Sequence, residues 1–328
     1  MLFWKTAQQS ISRNPVTKTM ARLLVFDFDG TVTKQDTINI LAQLPIYSSS
    51  LPQHRTEFRD KWKNIVDLYV ADHAKHNESY VPKVQDRRTL AEELAYLESL
   101  RAVEEASAKR VASTGFFAGS SREQWICHGR RARLNGEDPY FRGDRDYTIT
   151  VRKGFSEFVR QAKDRGDKLG IVSVNWSKAF IEGVIQPEDE NFMGEKDFVK
   201  MVGEIGYPDG ELKGPKEMGG MVLMTANDKL EGLETLLELD EAKGGSEKCS
   251  GTVYFGDSVT DLECLMKADT GIVMVNEGEE ESSKLMCTLL RLGFKVPHVS
   301  ECEEDAKLAW ARDFYEVSGS KIWVEDSD

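Results

Sequence analysis

Residues 25–31 read VFDFDGT: the end of an apolar run, two aspartates separated by one phenylalanine, then a glycine and a threonine. Carboxylates this close repel one another, and each costs free energy to desolvate. The apolar run in RLLVFDFDG is short, ended by Gly30 and followed by a β-branched stretch, which predicts a strand. Residues i and i+2 of a strand project to the same side. Asp27 and Asp29 are therefore expected to share one cavity where the strand unwinds, with Gly30 permitting a sharp turn and Thr31 following it. An Asp-Gly turn at a strand edge is the plain structural alternative.

Beyond the first strand the pattern changes. Residues 36–150 carry apolar side chains at helical spacing with charges between them, and few strand-like runs, which predicts a mainly helical module. From residue 151 onward the pattern alternates. Phe155, Phe158, Val159 and Ala162 suit one face of a helix stopped by Gly166, and KLGIVSV reads as a buried strand. LEGLETLLELDEAK is a second amphipathic helix, GTVYFGD a strand, DLECLMKA a helix and TGIVMV a strand. Alternating strands and helices imply an α/β fold, a doubly wound, mostly parallel sheet covered on both faces. The expected organisation is an N-terminal extension over 1–20, an α/β core over 21–35 and 151–328, and a helical domain over 36–150 inserted between them. The acidic run 276–283 reads as a solvated loop or helix start.

Composition limits the partners. The 328 residues are 40% hydrophobic and 30% charged, which fits a globular protein able to bury a core. The net charge of −13 argues against non-specific nucleic-acid binding, which needs Lys and Arg to neutralise phosphates. No apolar run approaches the ~18 residues of a membrane helix, so no membrane partner is expected. Five cysteines without a CxxC pair, and five histidines, make a disulfide framework or zinc site unexpected. A reducing, cytoplasmic setting is the default. Residues 1–26 hold Lys5, Arg13, Lys18 and Arg22 and no acidic residue, a composition similar to a mitochondrial presequence. Asn14-Pro15 interrupts a helix there, which favours a plain tail. Nothing in the chain decides its oligomeric state.

Four groups of residues carry chemistry. Asp27, Asp29, Gly30 and Thr31 are the first. Ser173, after LGIV, stands at another strand end. Lys229 stands in the first turn of its helix, where a cation opposes the helix dipole and so invites another use. Asp257 and Asp261, in GDSVTD, follow a strand and open a helix; capping explains Asp261 on its own but not Asp257. In doubly wound sheets ligands bind at the carboxyl ends of strands, so these groups are expected on one rim. Three carboxylates meeting there require a cation, and a hard ion such as Mg²⁺ suits oxygen ligands. The serine hydroxyl and lysine ammonium suit an anionic phosphoryl group. Lys213 and Lys216 rival Lys229, but their Gly/Pro-rich segment reads as a loop.

In this order and spacing the motifs resemble those of the haloacid dehalogenase superfamily, in the phosphatase branch with a helical, C1-type cap between the first two motifs. DFDGT is similar to its first motif, Ser173 to its second, Lys229 to its third and GDSVTD to its fourth. SVNWS and GDSVTDLECLMKADTGIVM are similar to the phosphoserine-phosphatase-like group and, within it, to the phosphatase module of plant thiamine monophosphate phosphatases. The resemblance covers about 21–35 and 151–300; the cap agrees in position and helicity.

What the resemblance implies is a Mg²⁺-dependent phosphatase acting on a small phosphomonoester. Asp27 would be the nucleophile that becomes phosphorylated, and Asp29 the general acid and base. Ser173, Asn175, Gly30 and Lys229 would bind the phosphate. Asp27, Asp29 (through its carbonyl), Asp257 and Asp261 would serve the metal, Asp261 by supporting Asp257 or orienting Lys229. Cap residues in line to meet substrate are Trp62, Tyr69, Tyr80, Trp125, His128, Arg130, Arg131 and Arg133. The aromatic members also suit the core of the cap, and the basic cluster also suits a solvated patch. A dehalogenase, or a non-catalytic binding protein on this fold, are the alternatives; Asp29 together with Asp257 speaks against the first, and the complete set of carboxylates against the second.

Overall fold

The computed structural model of the chain describes residues 21–137, 147–186, 198–242, 248–303 and 305–323. The expected N-terminal extension, 1–20, lies outside the described residues.

The first strand, β1 (Leu23–Phe26), leads into a helical segment: α1 (Ile38–Tyr47), α2 (Pro52–Ser79), α3 (Leu90–Ser99), α4 (Arg101–Thr114) and α5 (Arg122–Glu137). The alternating part then runs α6 (Phe155–Arg165), β2 (Lys168–Ser173), α7 (Lys178–Ile185) and β3 (Phe198–Val202). A two-stranded ribbon, β4 (Glu204–Ile205) with β5 (Leu212–Lys213), precedes α8 (Ala226–Glu241) and β6 (Thr252–Gly256). The described chain closes with α9 (Leu262–Lys267), β7 (Thr270–Met274), α10 (Lys284–Arg291), β8 (Leu308–Ala311) and α11 (Phe314–Ser318).

Six strands form one parallel sheet in the order β3-β2-β1-β6-β7-β8. The chain winds outward from β1 to one edge, returns, and winds to the other. The strand order therefore reverses between β1 and β6, and a doubly wound sheet opens a crevice at such a point. The α/β expectation holds. β3 and β8 extend the sheet beyond the strands read from the sequence.

Alternation within β1 divides the core. Leu24 and Phe26 face one layer, where Phe26 stacks on Phe255 at 4.8 Å between centroids and meets the edges of Phe155 and Phe158 on α6. Leu23 and Val25 face the other, packing with Leu233 and Leu236 of α8 and Leu265 of α9. A four-residue strand buried on both faces reads as an unbroken apolar run, which is why it is so clear in the sequence.

The helical segment is anchored to the sheet layer at several points. α5 lies on α7 so closely that a Cβ on Gly129 would stand 2.3 Å from the Phe180 carbonyl oxygen, and one on Gly183 2.1 Å from that of Ile126. The buried Glu93 of α3 accepts from Arg87 and from Arg291 of α10, both at 2.8 Å. Arg101, opening α4, donates to Asp228 of α8 at 2.8 Å. None of the five cysteines is paired. Among the described residues no helix is long and apolar enough to cross a membrane.

Behind the α5–α7 contact the buried Glu182 pairs with Arg122 and, at 3.6 Å, with Lys200. Burial, and next the charge on Glu182, push the nearby Glu204 carboxyl up to about 7. Its folded pKa lies above the 4.5 of a free glutamate, so the proton's contribution is complete below about pH 4.5 and is lost as pH rises through about 7. Glu204→Gln is therefore expected to match the parent near pH 4.5 and to exceed it at pH 8 by up to about 3 kcal/mol, the ceiling set by a rise from 4.5 to about 7 at about 1.4 kcal/mol per pKa unit. Denaturant titrations at the two pH values measure this.

Candidate active site

The register of the sheet sets the site. Phe26 pairs with Ile171 on one side and Phe255 on the other, so β2 runs two residues and β6 one residue past the end of β1. Asp27 leaves the sheet donating its N–H to the Phe255 carbonyl at 2.9 Å. Ser173 and Asp257 flank it on the neighbouring strand ends, and all are at the crevice side of the sheet.

Asp27, Asp257 and Asp261 each bring a carboxylate oxygen within 4.8 Å of the others. Lys229, on the first turn of α8, reaches into them: its Nζ stands 2.9 Å from Asp27 Oδ1 and 2.7 Å from Asp261 Oδ1. Burial by itself would lower the Lys229 pKa; Asp261 and Asp27 outweigh it and raise it. The aspartates bear the opposite consequence. Burial, then Asp261, push Asp27 well up against the pull of Lys229, and the same causes push Asp257 up to about 7.

Asp261 is a hydrogen-bond hub. Its Oδ1 accepts from Lys229 and from the Tyr254 hydroxyl at 2.8 Å, and its Oδ2 from the N–H of Asp257 and the N–H and hydroxyl of Ser258. That saturation suits a residue that holds Lys229 and shapes the loop carrying Asp257. Asp27 Oδ1, by contrast, is buried and its contact with Lys229 is an ion pair without a well-directed hydrogen bond. Three carboxylates against one ammonium leave negative charge unbalanced, and Asp27 and Asp257 keep lone pairs free. This hard-oxygen donor set fits a divalent cation such as Mg²⁺.

Two glycines are required by close approach. Gly30 has φ +76°, and a Cβ there would stand 2.0 Å from Asp257 Oδ2; a Cβ on Gly256 would stand 2.5 Å from that of Asp261. The turn they border is held from beneath by Arg152, buried and donating to the carbonyls of Thr31, Gly30, Val275 and Arg312. Thr31 Oγ1 donates to Asp257 at 3.0 Å.

The two aspartates of the opening motif part company. The strand ends at Phe26 and the chain turns, with Val32 and Thr33 donating back to the Phe28 carbonyl. Strict alternation no longer applies, and the Asp29 carboxylate stands outside the group that Asp27, Asp257 and Asp261 form, with partners of its own. The Asp29 carboxylate accepts from the Thr37 hydroxyl at 2.6 Å, the Thr37 N–H at 2.9 Å and the Asn175 side-chain amide at 2.8 Å. Burial, then Asp36, push it up to about 6. Asn175 also directs its N–H to Ser173 Oγ at 3.2 Å, so it orients both groups.

Asp29 faces a cleft of about 350 Å³ between the helical segment and the strand ends. Of the cap residues singled out from the sequence, Trp62 and Tyr69 line it; Tyr80, Trp125, His128, Arg130, Arg131 and Arg133 do not. Trp125 and His128 are buried, His128 with a ring nitrogen 2.6 Å from the Ile40 carbonyl. Arg133 pairs with Glu137 and the Val184 carbonyl. Lys213 and Lys216 lie away from the carboxylates, the first on β5 and the second in a single turn over Lys216–Met218. Sequence reasoning missed Thr37, Arg152 and Tyr254; their signal, a polar residue within or beside an apolar run, is common and carries no direction.

No protein-family model matches the chain. It is 26% identical over 322 residues to Cold tolerance protein 1 of Saccharomyces cerevisiae, covering 92% of this chain and 93% of that one. A CTO1 family protein of Schizosaccharomyces pombe is 26% identical, covering 77% and 81%. Among solved structures, a substrate-bound phosphoserine phosphatase aligns with TM-score 0.46 and 17% identity, over 91% of this chain and 97% of that one. A HAD family hydrolase from Salmonella enterica aligns with TM-score 0.49 and 14% identity, over 94% and 73%.

Gly30→Ala is expected to cost about 1–3 kcal/mol, the usual strain of a positive φ imposed on a side chain, and to push Asp257 out of the cluster. Denaturant unfolding, with and without added Mg²⁺, checks both.

Proposed function

We propose that this protein is a phosphatase of the haloacid dehalogenase superfamily that hydrolyses a small phosphorylated metabolite. The carrying observation is Lys229 clamped between Asp27 and Asp261 at a doubly wound switch point, with Asp257 and Ser173 on the adjoining strand ends. An anionic phosphoryl group at this rim meets a fixed ammonium and a serine hydroxyl, and positioning with charge stabilisation is most of what phosphoryl transfer requires.

In this reading Asp27 attacks phosphorus and its oxygen takes the phosphoryl group, while the ester oxygen leaves. Asp29, held by Thr37 and Asn175, gives that oxygen its proton. A pKa pushed up to about 6 suits a carboxyl that changes protonation state near neutrality. The same carboxylate then takes a proton from the water that cleaves the acyl phosphate, and Asp27 is restored. Lys229 works against the upward push on Asp27, favouring its anionic form, and offsets charge on the transferring oxygens. Ser173 and the N–H groups about Gly30 complete the phosphate site. Asp27, Asp257 and the Asp29 carbonyl would hold Mg²⁺, supported by Asp261; when bound, it supplies further charge neutralisation at the phosphoryl oxygens.

The helical segment over 36–150 acts as a cap on a core of 21–35 and 151–328, closing over the leaving group and limiting water. Five unpaired cysteines agree with a reducing, cytoplasmic setting.

Hydrolysis of 4-nitrophenyl phosphate with Mg²⁺ is the expected activity. EDTA is expected to remove it, and Asp27→Asn to lower it by about 10³-fold or more, the scale on which loss of a nucleophile acts. Mg²⁺ should raise the melting temperature of the parent and fail to raise that of Asp257→Asn. An active Asp27→Asn protein would end the reading.

A further inference from the structure

Resting on that reading, we propose that the cleft beside Asp29 selects phosphomonoesters whose alcohol portion is a flat apolar body without a second anionic group, and favours those carrying positive charge.

The cleft is continuous with the chemistry because Asp29 and Asn175 belong to its wall. A leaving group whose oxygen takes a proton from Asp29 must therefore extend into it. Its volume, about 350 Å³, accommodates a body of one substituted ring. Trp62, Ile65, Val66 and Tyr69 from α2 face Trp176 and Leu223 from the sheet side. The α2 side chains recur three and four residues apart, which puts them on one helix face. The indole N–H of Trp62 is held by Asn39 at 2.9 Å, which fixes the ring.

The charges of the cleft are one-sided. Its ionisable side chains are Asp29, Asp36, Glu104 and Tyr69; no Lys, Arg or His lines it among the described residues. Glu104, on α4, accepts from the Tyr69 hydroxyl at 3.0 Å, and burial pushes its carboxyl up with no neighbouring cation to offset that. A substrate bearing a carboxylate or second phosphate would bury that anion against these carboxylates with no ionic partner, an unfavourable arrangement that discriminates by repulsion. A cation gains twice, from Asp36 and Glu104 and from the faces of the Trp and Tyr rings. The site then has two ends: the Lys229 ammonium and the cation its carboxylates would hold where the phosphoryl group lies, and an anionic, aromatic wall where the alcohol lies.

The test is a series of phenyl phosphates with a para 2,2-dimethylpropyl, trimethylammoniomethyl or carboxymethyl group, the first two alike in shape and differing in charge, assayed with Mg²⁺ on the full chain. The kcat/KM is expected to run cation above neutral above anion, with about tenfold or more between the extremes. In the double variant Asp36→Asn/Glu104→Gln the ratio of cation to anion is expected to fall by about tenfold, whatever the absolute rates do. A flat or reversed order on turned-over substrates overturns the proposal and leaves the phosphatase reading standing. If no member of the series is hydrolysed, the phosphatase reading fails instead. Calorimetric binding of the three parent phenols then decides the cleft: the same order supports its selectivity, and equal or tighter binding of the anion overturns it.

Discussion

Everything at the rim of this sheet depends on one buried ammonium. Lys229 sits between Asp27 and Asp261 where solvent cannot screen the charges, and a buried pair broken on one side is far more costly than a surface one. The lysine is placed by a capping box, Thr225 with Asp228, which fixes the first turn of α8, and by Arg101 reaching from α4 to Asp228. The chemistry of one strand tip is thus tied to the register of a helix and to the neighbouring helical segment. Asp261 serves the same end from the other side, spending both its oxygens on holding the lysine and the loop of Asp257.

The clamp relieves only part of the crowding. Asp27 and Asp257 remain raised because burial and their neighbours disfavour a third charge, and that residual demand is what a divalent cation or an incoming phosphoryl group would meet in different ways. The site is a set of groups that are unfavourable in isolation and compatible only together, the usual condition of residues kept for chemistry rather than for stability.

Legibility in the sequence followed burial on both faces. β1, β2, β6 and β7 are near-continuous apolar runs because helices cover them front and back, and β1 and β6 are each followed at once by an aspartate. β8 is LAWA, with two alanines and no β-branched residue to mark it as a strand, and β3 carries Lys200 inside it, a charge tolerated there because Glu182 stands opposite. Arg152 and Thr37 were invisible for a different reason. Their work is done on carbonyls and carboxylates more than a hundred residues away or across a turn, and nothing local marks them.

By itself the sequence determined the alternation of strands and helices, the helical segment between residues 36 and 150, and the four groups that belong at strand ends, because periodicity and turn residues are local properties. It could place Asp27 and Asp29 at one strand end, but not decide where each carboxylate goes. Only the tertiary structure did that. The turn at Gly30 breaks the two-residue period, so Asp27 joins Lys229 while Asp29 is drawn to Thr37 and Asn175 at the mouth of an aromatic, anionic cleft. The same packing gave the cleft Trp62, Tyr69 and Glu104 and withheld the arginines of α5, since which face of a helix meets which neighbour is settled by long-range contacts.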